Sequence, residues 1–155
     1  MAPRIYTIES EPVAEAYQRL LDLAGLFCAR GLLVTRPGLG MSAEGRDLVS
    51  ALLSFQGNER SASEWPGTDL GRGSATVLSF EVHDQSLALL RPAPGLYSWR
   101  QPHRPEDLCF LRADGSTWLA SIAHESDAFL ELEEAEVAIV RARAPELRIS
   151  RTEED

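Results

Sequence analysis

The residues His124-Glu125-Ser126-Asp127 set an imidazole beside two carboxylates in one short stretch behind an apolar run. Histidine changes charge near neutral pH and a carboxylate can orient its ring. His124 with Glu125 or Asp127 is therefore the candidate set for general acid–base chemistry, in a small hydrolase or transferase. The plainer account of the same residues is a cap, in which Ser126 or Asp127 starts the following segment and His124 bonds nearby. The sequence favours the cap, and no catalytic residue is assigned.

Other chemistries lack their residues. A zinc site would draw on His83, His103, His124 and Cys109, whose wide spacing matches no compact ligand motif, so no metal is expected. Cys28 and Cys109 each lie inside an apolar segment, as buried reduced cysteines do, and no C-x-x-C pair is present. None of the 15 basic residues is a lysine. That excludes Schiff-base chemistry, a Walker A loop and a serine–lysine dyad. Gly38-Leu39-Gly40-Met41-Ser42 misses the dinucleotide spacing, and Gly71-Arg72-Gly73-Ser74 runs into a strand where a phosphate loop needs a helix. There is no Gly-x-Ser-x-Gly elbow. No cofactor is expected.

What remains is binding. The formal charge is −9, and ten of the 24 acids but only four of the 15 arginines fall in residues 124–155. Nucleic acid and anionic lipid attract the opposite sign, so neither is an expected partner. Glu131, Glu133, Glu134 and Glu136 make an acidic face suited to a basic protein partner, which electrostatic steering would recruit. Trp99 and Arg100 stand in a proline-rich loop, Tyr97 to Asp107, and belong to the residue types that anchor interfaces. The alternative for that loop is a stiff crossover with Trp99 in the core. A homo-oligomer or an adaptor subunit built on Trp99 and Arg100 stays open.

Elements must position these residues. Arg4 to Glu9 alternates as a short strand. Val13, Tyr17, Leu20, Ala24 and Phe27 recur at helical spacing, with Gly31 as the stop, and Ser42 caps a second helix carrying Leu48, Leu52 and Phe55. Gln56 to Gly73 reads as a long connection anchored by Trp65. Thr76 to Val82 is a strand, and His83-Asp84-Gln85-Ser86 is expected to turn the chain into a second one, Leu87 to Arg91. The Asp114-Gly115 pair between two apolar runs marks a hairpin. Leu132 to Arg143 reads as a helix with acids first and arginines last, although the β-branched residues among 137–140 leave a strand open. Pro145 ends it, Leu147 to Ser150 can add an edge strand, and an acidic tail follows.

The expected fold is α+β: an antiparallel sheet with a hairpin in the C-terminal half, packed by two N-terminal helices and one C-terminal helix. Residues 1–150 are expected to form one domain and 151–155 a disordered acidic tail. No apolar stretch reaches the ~20 residues of a membrane span, and the N-terminus lacks an apolar leader, so the cytoplasm is the expected location. The stretch from Pro105 through Asp114-Gly115 to Trp118 and on to His124-Glu125-Ser126-Asp127-Ala128 resembles the small acidic bacterial immunity-type proteins that accompany polymorphic toxins. That resemblance implies a hairpin-centred α+β protein that neutralises a toxin by binding it, and it carries over no functional residue.

Overall fold

The computed structural model describes residues 2–153. Ten strands and four helices follow one another as β1 (Arg4–Ile8), α1 (Ala14–Phe27), β2 (Arg30–Thr35), α2 (Ala43–Leu53), β3 (Asn58–Ala62), β4 (Glu64–Trp65), β5 (Thr68–Asp69), β6 (Ala75–Glu81), α3 (Asp84–Leu90), β7 (Glu106–Leu111), β8 (Thr117–Ile122), β9 (Asp127–Leu132), α4 (Glu134–Arg143) and β10 (Ile149–Arg151). Eight strands make one antiparallel sheet in the order β10-β1-β9-β8-β7-β2-β6-β3, and β4 with β5 forms a separate small hairpin. The α+β expectation holds.

Strand alternation sorts the side chains onto two faces. On the inner face Leu33, Leu78, Phe80, Leu108, Phe110, Leu119 and Leu130 join Tyr17, Leu20, Leu52 and Leu87 of the helices in the main core. On the outer face Leu32, Val34, Val77, Cys109 and Ala120 form a second cluster beneath Trp65. The β4–β5 hairpin is therefore the cover of the outer face. Its turn glycine, Gly67, lies so close to Ile122 and Ala120 that a Cβ there would stand 3.3 Å from the Ile122 side chain.

Several expectations change. Leu87 to Arg91 is not a strand, because His83 caps a helix: its Nδ1 accepts from the Gln85 amide at 3.1 Å, and Ser86 Oγ accepts from the His83 amide at 3.0 Å. The connection from Gln56 to Gly73 contains β3, β4 and β5. Gly31 does not stop α1, which ends at Phe27, but lies in β2 between Phe80 and Phe110. Residues 137–140 are helical within α4, whose acidic start and Arg141 and Arg143 at its end suit the helix dipole. The Asp114-Gly115 hairpin is present, with Gly115 at φ 86° and the Asp114 carboxylate accepting from the Ser116 amide at 2.9 Å. At the far edge the chain stays paired through Arg151, and the Thr152 amide donates to Ile5. Glu154 and Asp155 of the acidic tail lie outside the described residues.

Gly31 is fixed by its neighbour: a Cβ there would meet the Phe80 ring at 2.2 Å. Overpacking of this kind costs typically about 1–3 kcal/mol. Gly31→Ala is expected to lower the unfolding free energy by that amount, read as a lower urea midpoint with an unchanged slope, and Gly31→Ala/Phe80→Leu to recover part of the loss. An unshifted midpoint for the single variant would show that the ring moves away freely.

Candidate functional site

The polar residues of the fold converge where β2 ends, β7 begins and β8 ends. Leu32 pairs with Cys109 and Val34 with Glu106, so Leu33 faces two residues, Asp107 and Leu108. This is a β-bulge, and Asp107 takes the left-handed φ of 57°, which costs a non-glycine residue energy. The bulge holds two adjacent carboxylates in the interior, with Glu106 0% and Asp107 1% exposed.

Each carboxylate has its own compensation. Asp107 Oδ1 accepts from the Ala123 amide at 3.0 Å, and Oδ2 faces the Arg36 guanidinium at 3.4 Å. Arg36 lies over the Trp65 ring, 5.4 Å from its centre. Gln101 pins the Arg36 backbone, its Oε1 accepting from the Arg36 amide at 2.7 Å. Glu106 Oε1 is 2.6 Å from His124 Nε2, and His124 Nδ1 is 2.9 Å from Arg100 Nη2. A guanidinium can only donate, so Nδ1 accepts and Nε2 carries the proton given to Glu106. Arg100, His124 and Glu106 thus form a line of donors from the surface to a buried acid. Glu106 Oε2, Arg36 Nε and Trp65 Nε1 are buried without a hydrogen-bond partner among the described residues.

This geometry revises the acid–base set. The carboxylate on His124 is Glu106, and neither Glu125 nor Asp127 bonds to the ring; both are exposed. Ser126 and Asp127 do not cap a helix either. Ser126 sits at φ 50° behind a 3-10 turn, Ala123–Glu125, and Asp127 opens β9. Both ring nitrogens of His124 are engaged, which leaves no free lone pair for a substrate proton.

The expected binding residues are dispersed. Trp99 is buried and donates through Nε1 to the Tyr17 hydroxyl at 3.0 Å, which itself donates to the Leu90 carbonyl at 2.6 Å, so Trp99 belongs to the core and to no interface. Burial raises the Tyr17 phenol to about 12, the Trp99 donor opposing it. Arg100 is exposed but held on His124. Glu136 is 7% exposed. Its Oε1 accepts from Arg112 at 2.6 Å and from the Glu133 amide at 2.8 Å, which removes it from the acidic face. Glu133 and Glu134 are exposed at the start of α4, whereas Glu131 lies on β9 beside Ile5 of β1. His83 is the helix cap, His103 is exposed, and Cys109 is buried, which pushes its thiol up to about 12. No group of three metal-ligating side chains occurs among the described residues.

On the outer face, the part of the sheet beyond the β4–β5 hairpin carries Ile5, Thr7, Asp127, Phe129 and Glu131. Ile5 is 44% exposed and Phe129 half-buried, with Asp127 and Glu131 on either side of it along β9. Glu64 and Asp69 are exposed on the neighbouring hairpin. The sequence signal for this strip was the alternation Asp127-Ala128-Phe129-Leu130-Glu131-Leu132, a half-buried strand pattern overshadowed by the helix that follows. Comparison of the chain with family models, with curated proteins and with solved structures finds no match.

Removing the imidazole strands a buried carboxylate, at a cost of about 3–5 kcal/mol. His124→Ala is expected to lower the denaturation midpoint accordingly, and His124→Ala/Glu106→Gln to regain stability because the charge is gone. Equal stability of the wild type and His124→Ala would show that water satisfies Glu106.

Proposed function

We propose that the chain is a non-enzymatic binding protein that receives a basic protein partner on the outer face of its sheet, in the manner of an immunity-type inhibitor that neutralises a toxin in the cytoplasm. The observation that carries this reading is the strip of Ile5 and Phe129 framed by Asp127 and Glu131, which stands outside the helix-packed core in a chain of net charge −9. Apolar surface at the centre with charge at the rim is how interfaces are built, the first giving lifetime and the second steering and register. The hydrolase or transferase alternative draws no support from His124, whose ring is committed to Glu106 and Arg100. An assembly anchored on Trp99 draws none from a side chain that is fully buried.

The test is affinity capture from the native cell with wild-type protein and with Asp127→Asn/Glu131→Gln. A basic polypeptide is expected on the wild type alone, released as ionic strength rises past the point where exposed charges are screened, about 0.15 M and above. Capture of the same polypeptide by both proteins, insensitive to salt, would overturn the reading.

A further inference from the structure

A second surface, away from the acidic strip, has the build of a peptide cleft. Strand β3 is the edge of the sheet, paired to β6 on one side only. Its register places Glu59 opposite Leu78 and so turns Glu59 toward the helical side, where α2 packs on the adjoining strand β6. Helix α2 shows two stripes. Gly45 and Leu52 are buried, whereas Arg46, Val49, Ser50 and Leu53, at helical spacing, line a groove of about 510 Å³ with Glu59 and the β2–α2 loop. Because β3 bears Glu59 and Ser61 on this side and no large apolar residue, nothing from the strand fills the space over Val49 and Leu53.

The loop closes one end of the groove. Gly38 and Gly40 take φ of 87° and 73°, and among the described residues the amides of Gly38, Gly40 and Met41 donate to no protein acceptor. Gln101 holds the turn through the Gly40 carbonyl at 2.9 Å, and Arg46 is anchored on the Met41 carbonyl at 2.6 Å, with its remaining donors paired to no acid among the described residues. That end of the groove is thus rich in donors and positive, in a chain that is otherwise acidic. Glu59 of β3 also lines the groove.

We propose that this cleft takes an extended segment of a partner protein that adds as a strand to the free edge of β3, sets an apolar side chain over Val49 and Leu53, and points an acidic side chain at Arg46 and the glycine turn. Main-chain bonds to an edge strand supply affinity in this mode and alternate side chains supply selectivity. The surface is separate from the acidic strip, so either can fail without the other.

The probe is an acetylated and amidated peptide, Thr-Val-Thr-Val-Asp, titrated into ¹⁵N-labelled full-length protein. Amide shifts are expected at residues 38–41, 49–53 and 58–62, saturating with a Kd of about 0.1–1 mM. Arg46→Gln, or Asn for Asp in the peptide, is expected to weaken binding about fivefold, and the two changes together no more than either alone. Shifts confined to Ile5, Phe129 and Glu131, absence of saturation, or additive losses in the double change would overturn the proposal. So would concentration-dependent shifts at β3 without peptide, which would mean that a second copy of the chain occupies the edge.

Discussion

Two neighbouring carboxylates in a protein interior constrain everything around them, since an uncompensated buried charge is far more costly than any single contact of the fold is favourable. Glu106 and Asp107 occupy the bulge at the head of β7. Their partners come from two places remote in sequence, Arg36 past the end of β2 and Ala123 with His124 past the end of β8, and Arg100 of the crossover holds the far side of the His124 ring. The ends of these strands cannot drift apart without exposing or stranding one acid. The bulge also accounts for the crossover's path, since Trp99 must approach closely enough for its carbonyl to accept from the Asp107 amide at 3.3 Å. Trp99 then reaches Tyr17, which ties the polar end of the sheet to helix α1.

A second arginine performs the matching task at the other end of the hairpin. Arg112 donates to the Thr117 carbonyl at 2.8 Å, to the Glu131 carbonyl and to Glu136, and so joins β8, β9 and α4. One planar guanidinium with five fixed donors can bridge three elements in this way, whereas a lysine ammonium presents a single point of charge. The all-arginine composition therefore has structural uses at Arg36, Arg100 and Arg112, whatever fixed the choice of codon.

Local chemistry made much of the fold legible in the sequence. Asp114-Gly115 needs no tertiary information to turn, and Ser42 caps α2 by accepting from the Gly45 amide at 3.1 Å. What stayed hidden is what depends on contacts across the chain. His83-Asp84-Gln85-Ser86 reads as a turn because histidine is an unusual cap, and the following leucines then pass for a strand. Gly31 reads as a helix stop because only the fold brings Phe80 over it. The Glu106–His124 pair spans 18 residues and depends on a bulge that no local pattern announces. His124 was conspicuous, but the acids next to it in sequence were the wrong ones, because a strand start carries Asp127 to the outer face.

The same reasoning narrows the acidic face. Charge that composition assigns to the C-terminal quarter is partly used internally, since Glu136 closes the start of α4 and holds Arg112. Two pairs of acids then remain near the start of α4 and on β9: Glu133 and Glu134 are exposed at the helix start, and on the outer sheet Asp127 is exposed and Glu131 half-buried. Only the second pair flanks exposed apolar surface. Rim charges alone change how fast a partner arrives, while buried apolar area governs how long it stays. An acidic helix end without an apolar centre can steer but not hold, so under the proposed function lasting contact would fall to Phe129 and Ile5, and the carboxylates beside them would decide which partners reach it.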